Sequence, residues 1–451
     1  MINSLLFKKE KAEIFLGLDI GTEAVKAIIF SFSGKKDKKI TILGNSFSYF
    51  DSYGIFNSKD FEADVIKKTI SKTIEETKSK VNQKPSEAKP SESEDEGKPE
   101  RGKLHRLPSE AKPSEAADET KSQRPPNLTL LGLPADILKG RIVFQSFKRE
   151  NSQSMIIDKK EKEVIYQKIL SKTQNEISQI FAGESGILPK DIHFINLKIL
   201  EIKIDGYVVP AIQGYDGKNL DFRILAIFLP KYYLENIKKI IQTFAPGGLE
   251  ILNLAEVLPY FFRNRVADGI FLDVGGNLTQ IFLVNNGKLN KVDEFQIGGE
   301  TFSQTLSQSL GLEISEARAL KENYSKGELS EGVRKRVREI FFQSLEDWFK
   351  NLKLKLKTQM SLRERGVIVG TVKGSLLPST FFLFGGGSQL PEIQEILEEG
   401  DWEGFSFFTP PKVKFIYPKD FRNIEDITKK LNSPQDVPLL LIANYYDQEN
   451  F

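Results

Sequence analysis

Apolar residues fall along this chain in short runs that stop at acidic or glycine positions. Ile14-Phe-Leu-Gly-Leu-Asp-Ile20 is apolar apart from Asp19, the turn residues Gly21 and Thr22 follow, and Val25 to Phe30 resumes a β-branched run. That pattern predicts strand, tight turn, strand. Ile270 to Gly276, interrupted by Asp273, and then Leu278 to Val284 repeat the plan, with Asn286-Gly287 as a favoured two-residue hairpin turn. Phe381-Phe-Leu-Phe384 gives a strand of buried type running into Gly385-Gly386-Gly387.

Between these landmarks the periodicity changes. Ile40–Phe50 predicts a further strand, and Phe61, Val65, Ile66, Ile70 and Ile74 have helical spacing through Phe61–Lys78. Asn127–Pro134 and Gly140–Arg149 read as strands and Lys159–Phe181 as a long amphipathic helix. Strands at Ile192–Ile204, Tyr207–Ile212 and Leu220–Leu229, with turns at Asp205-Gly206 and Gly214–Gly217, lead into a helix over Lys231–Phe244. Together they predict a compact α+β unit. Further on, helices are expected at Glu250–Phe262, Ile314–Tyr324, Glu331–Lys357 and Pro391–Glu399, and strands at Val367–Gly370 and Val413–Tyr417. Val437–Asp447 is the last apolar element.

Lys78–Arg124 breaks every pattern. It holds Pro85, Pro90, Pro99, Pro108 and Pro113, and the octamer Pro-Ser-Glu-Ala-Lys-Pro-Ser-Glu occurs at 85–92 and again at 108–115. With almost no large apolar residue it cannot bury enough surface to offset its ordering entropy. A disordered spacer is expected there.

Composition narrows the chemistry. The 451 residues exceed one domain by the usual size prior, and a net charge of +2 gives no general argument for nucleic acid. With no cysteine, disulfides, thiolate metal sites and a cysteine nucleophile are excluded. A histidine-based metal site or Ser-His-Asp triad would have to use His105, in the low-complexity stretch, or His193, in a strand. Apolar runs such as Ile224–Leu229 and Val437–Ala443 fall far short of the ~20 residues of a membrane span. Met1–Lys11 lacks the order of a signal peptide, so a cytoplasmic protein is expected.

The glycine turns carry the candidate chemistry. Gly21 lets the backbone approach a ligand closely, Thr22 adds a hydroxyl, and a tight turn presents N–H donors, which is the equipment for holding a phosphate. Asp19 is a carboxylate at a strand end, where a Mg²⁺ keeping most of its waters could be held. Two Asp-Gly strand–turn–strand units followed by a strand with a triple-glycine turn resemble the actin-like ATPase superfamily, which includes actin, sugar kinases, chaperone ATPases and the bacterial proteins FtsA and PilM.

That resemblance implies an α/β fold of two actin-like, ribonuclease H-like lobes around a nucleotide cleft. It implies ATP as ligand, with Mg²⁺ held through water by Asp19 and Asp273. The residues matching the family's nucleotide site are Asp19, Gly21, Thr22, Lys26, Gly275, Gly276, Thr279, Gly385, Gly386 and Gly387, with Glu316 and Lys321 on a helix near the ribose and adenine. No catalytic residue is assigned.

The segment Ile204–Leu220 resembles the small domain that FtsA carries on its first lobe, and this selects the FtsA and PilM branch. The expected organisation is 12–77 and 246–269 for the first lobe, 78–126 for the disordered insertion, and 127–245 for the small α+β domain. The second lobe takes 270–416, with a helical subdomain at about 311–366, and 417–451 returns to the first lobe. By the same resemblance the protein is a scaffold like FtsA, linking FtsZ-type filaments to the division machinery, self-associating, and turning ATP over slowly or not at all. A PilM-like platform for type IV pilus assembly is the alternative, and a metabolic kinase a second one. Where the family has Gly-Gly-Gly-Thr-Thr-Asp, this chain has Gly275-Gly276-Asn277-Leu278-Thr279-Gln280, losing a hydroxyl and a carboxylate. FtsA's terminal amphipathic helix has no counterpart after Asn444–Phe451, so contact with the inner face of the membrane is expected to be peripheral or through partners.

Overall fold

The structure, a computed structural model, describes residues 13–33, 39–51, 62–81, 126–150, 156–245, 247–262, 268–364 and 376–449. Expectations for Met1–Lys11, His105, the low-complexity segment beyond Val81 and the strand at Val367–Gly370 lie outside these residues.

Nearly continuous burial marks the inner strands of the first sheet. β1 (Ile14–Ile20), β2 (Ala24–Ser33) and β3 (Lys39–Tyr49) form an antiparallel meander, and α1 (Ala63–Lys80) packs on β3 and β2. β4 (Leu128–Gly132) then runs parallel to β1, with Phe15 opposite Leu128 and Asp19 opposite Gly132. The strand expected with the small domain at Asn127–Pro134 therefore belongs to the first lobe. Its partner lies more than a hundred residues back, and local pattern carries no signal for such a pairing.

The small domain begins at β5 (Lys139–Lys148) and continues through α2 (Lys159–Ser185), β6 (Ile192–Ile204), β7 (Tyr207–Val209), β8 (Asn219–Pro230) and α3 (Lys231–Ile241). Its antiparallel sheet has the order β5-β8-β6-β7. α2 starts where the Asp158 side chain accepts from Glu161 N at 2.8 Å and ends at Gly186, whose φ of +74° suits a glycine. Ile165, Ile169 and Ile177 on α2 are buried beneath it. The helix expected over Glu250–Phe262 is split: β9 (Leu249–Leu252) adds to β4 in parallel, and α4 (Leu254–Phe262) follows.

The second lobe holds β10 (Gly269–Val274), β11 (Thr279–Asn285) and β12 (Lys288–Phe295), then α5 (Gly299–Leu310), α6 (Ile314–Ser325) and α7 (Glu331–Glu364). β13 (Thr380–Phe384), α8 (Pro391–Glu399) and β14 (Lys412–Phe415) complete it. β15 (Ile424–Asp426) and α9 (Val437–Glu449) return to the first lobe, where β15 pairs with β3.

The two large sheets share one topology. The order β3-β2-β1-β4-β9 in the first lobe repeats as β12-β11-β10-β13-β14 in the second, antiparallel at the hairpins and parallel thereafter. Between the sheets α9 packs on β1 and β4, and α4 packs on α9 and β12. Val437, Leu439, Leu440, Leu441, Ile442 and Ala443 are all buried, the signature of a helix with apolar neighbours on every side. Each fully buried side chain of this size is worth about 1.5–3 kcal/mol, so α9 is firmly held on the first sheet below the cleft, and α4 connects it to β12 of the second lobe. Among the described residues, no helix is long and apolar enough to cross a membrane.

Candidate nucleotide cleft

Both hairpin turns are built alike. Gly21 N donates to Ala24 O at 2.8 Å, and Gly275 N donates to Leu278 O at 3.0 Å. A Cβ at either glycine would crowd that carbonyl, at 3.3 and 3.2 Å. The third turn leaves β13 at Gly385, whose φ is +87°, and Gly385 N donates to Pro434 O at 3.0 Å. A Cβ there would stand 2.2 Å from Asp273 Oδ1. The triple-glycine turn and the second hairpin thus pass as close as backbone allows.

These three turns converge on one cavity of about 510 Å³ between the lobes. Its walls include Asp19, Gly21, Thr22, Lys26, Asp273, Gly275, Gly276, Lys321, Gly385, Gly386 and Gly387. The volume is that of an ordinary small-molecule site, about 300–1,000 Å³. Two residues expected in the site stand elsewhere. Thr279 is fully buried, donating to Ile297 O at 2.7 Å and accepting from the Trp348 indole at 2.9 Å. Along β11 it faces away from the cleft while its neighbour Gln280 faces in, because strand side chains alternate. Glu316 is exposed and caps α6, its carboxylate accepting from Glu313 N at 3.0 Å. The acidic residue of α6 that lines the cavity is Glu322, two turns further along.

A charged cluster lies across the floor. Lys26 Nζ contacts Asp19 at 3.1 Å. Burial pulls the Lys26 amine down, but Asp19, with help from Asp436 and Asp273, more than offsets this and holds it above its ordinary value. Burial, then repulsion from Asp19, pushes the Asp273 carboxyl up to about 7 against the pull of Lys26. Gln280, opposite Asp273 in the β10–β11 pairing, is 3% exposed, and its amide nitrogen has no hydrogen-bond partner among the described residues.

At the mouth the lobes touch. Asn277 N donates to Thr22 Oγ1 at 3.1 Å, and the Asn277 amide reaches Asp136 and Gln296, each at 3.2 Å. Tyr49 on β3 donates to Glu322, with the Arg318 guanidinium 4.6 Å from the Tyr49 ring centre. Lys321 is buried and donates to Gly299 O at 2.8 Å. Desolvation lowers its pKa, against the attraction of Glu23 and Glu322. The N-terminal amides of α5 are already engaged, Gly299 N by Gly275 O at 2.8 Å and Glu300 N by Gly276 O at 2.7 Å. Glu23, Tyr49, Asp136 and Glu322 carry no sequence signal of their own, because cross-lobe proximity alone brings them here.

Sequence comparison finds no matching protein-family model and no matching curated protein. Solved structures do match. The PilM-PilN type IV pilus biogenesis complex aligns over 95% of this chain and 97% of that chain, at 15% identity and a TM-score of 0.57. This chain has the actin-like ATPase fold. The ethanolamine utilization protein EutJ from Carboxydothermus hydrogenoformans aligns over 97% and 92% at 10% identity, with a TM-score of 0.43. A Bacteroides thetaiotaomicron protein with actin-like ATPase fold aligns over 97% and 99% at 9% identity, with a TM-score of 0.38.

Proposed function

We propose that this protein is a cytoplasmic actin-like scaffold that binds Mg-ATP in the interlobe cleft and hydrolyses it slowly or not at all. The observation that carries this reading is the convergence of the three glycine turns on one cavity with Lys26, Asp19 and Asp273 at its floor. Gly21-Thr22 and Gly275-Gly276 face each other as two halves of a phosphate cradle, and Gly385–Gly387 leaves bare backbone beside the space for adenosine. The donor set for Mg²⁺ is two carboxylates at strand ends; burial and then Asp19 raise the Asp273 carboxyl to about 7, and a bound cation would favour its ionised form. Asp19 and Asp273 would hold that ion, which would offset phosphate charge when bound. Hydrolysis further requires a water aligned with the terminal phosphate. Here Leu278 offers a buried apolar side chain and Gln280 a neutral amide, so turnover below roughly 1 s⁻¹ is expected.

For the partner, we favour a pilus-type assembly, in which the protein acts with a PilN-like subunit and reaches the membrane through it. The likeness to the PilM-PilN complex along the whole chain, small domain included, supports this. The FtsA-like role, with FtsZ-type filaments as partner and self-association, is the second reading and rests on the small domain alone. The fold likeness by itself leaves the metabolic kinase open, but the sequence offers no motif for a sugar pocket with a general base, and the presence of the small domain speaks against it. Mixing the purified chain with a PilN-type cytoplasmic segment and, separately, with FtsZ-type filaments separates the two leading roles. Co-elution with the first and no co-sedimentation with the second is expected, and the opposite pattern would move the protein to cell division.

A further inference from the structure

The first turn carries a carboxylate that a phosphate-holding turn does not need. Glu23 directly follows Thr22, and its side chain crosses to the second lobe. A Cβ placed on Gly276 would lie 2.4 Å from Thr22 Oγ1, 2.7 Å from Glu23 Cγ and 3.2 Å from the Glu23 carboxyl carbon. The side of Gly276 on which a Cβ would project is therefore filled by the first turn's own side chains.

The electrostatics point the same way. Lys321 Nζ stands 3.9 Å from Glu23 Oε1, with both side chains largely shielded from water. Glu23 Oε1 is buried and accepts no hydrogen bond among the described residues. For that oxygen this is a poor resting place, since a buried acceptor without a hydrogen bond is offset only by the nearby Lys321 charge. Asp136, Glu300 and Glu322 are the other carboxylates of this corner, and Arg318 is its other cation.

We propose that Glu23 is a built-in competing anion: it fills the Cβ side of Gly276 and engages Lys321, and the phosphates of an incoming nucleotide must displace it. Glu23 thereby sets how strongly the cleft discriminates among ligands by their phosphate charge. This rests on the reading of the cleft as a nucleotide site.

The test uses the full chain with Glu23→Gln, which removes charge but keeps bulk, and Glu23→Ala, which removes both. Adenosine, AMP, ADP and ATP are titrated with magnesium against wild type and variants, and thermal melting checks that each variant is folded. Like charges set side by side are costly. Both variants should therefore bind ATP about tenfold tighter or more, ADP with a smaller gain, and adenosine with none. Should the alanine variant fail to fold, the isosteric glutamine variant decides. Unchanged or weaker ATP binding in the variants, with wild type binding normally, overturns the proposal and leaves the nucleotide site standing. An equal gain for adenosine and ATP overturns it too, since that is the mark of loosened lobes rather than a displaced anion. Absence of binding by wild type and variants alike overturns both readings.

Discussion

Gly385 shows what one missing Cβ does in this cleft. Its positive φ and its approach to Asp273 Oδ1 both exclude a side chain. Gly385→Ala should cost about 1–3 kcal/mol from backbone strain and push the third turn off the second, lowering both the urea midpoint and nucleotide affinity. A variant with unchanged stability would show that the turn tolerates the displacement. Glu300 makes a pH prediction. Burial, with repulsion from Glu23 and Asp136, raises its carboxyl from an ordinary 4.5 to about 7. Between those values the folded chain binds more protons than the unfolded one, so stability falls as pH rises through that window. Asp273, also raised to about 7, acts in the same direction. His193, lowered chiefly by its burial, acts oppositely just below 6.5. Glu300→Gln should therefore melt above wild type near pH 8 and converge with it below about pH 4.5, with the Asp273 part of the slope remaining. A gap independent of pH would refute the assignment.

At the scale of elements, what could be read from sequence follows the range of the signal. Both hairpins are legible because an apolar strand, an acid and a glycine lie within a dozen residues of one another, and strand alternation fixes which of them point inward. Thr279 entered the expected site through the family's motif, and it is the alternation along β11 that turns it into the core instead. On α6, Glu316 and Glu322 are alike in composition, and only packing tells the capping residue from the one facing the cleft. β4 and β9 could not be placed from local pattern, since each is a short apolar run whose partner is distant in sequence. Nor does sequence foretell the join between the small domain and the second lobe. There Glu294 on β12 is buried and accepts from Lys139 at 2.8 Å and from Arg141 at 2.9 and 3.0 Å, both on β5. These cations hold the Glu294 carboxyl below its usual range despite its burial. Glu294→Ala strands Lys139 without its partner, which costs about 3–5 kcal/mol for a buried pair, at the lower end here because Arg141 reaches solvent. The first urea transition should shift accordingly. A shift under about 1 kcal/mol, the range of an exposed pair, would mean that other contacts of the join, such as Lys288 with Glu201 and Arg223 with Asn290, hold the small domain.

The molecule as a whole is one topology used twice, with α4 and α9 packed between the copies and a small third sheet attached. Duplication explains why the two turns oppose each other: each sits at the same point of its own sheet, after the central strand, and the pseudo-symmetry brings both to the same cavity. The third turn completes the enclosure from the second lobe only. A site divided between two bodies can open by moving them, and the contacts at its mouth, Tyr49 with Glu322 and Arg318, Asn277 with Thr22 and Asp136, and Glu23 with Lys321, are polar. The lobes should therefore part when a ligand takes over those contacts, and the small domain, joined to the second lobe through Glu294, should feel the movement. All of this depends on the cleft being a nucleotide site. Calorimetric titration of Mg-ATP into the full chain, beside Asp19→Ala, tests that most directly. Saturable binding at one site with a Kd below about 1 mM, weakened at least about tenfold by the substitution, is the result expected. No saturable heat, or equal affinity in the two proteins, would contradict it.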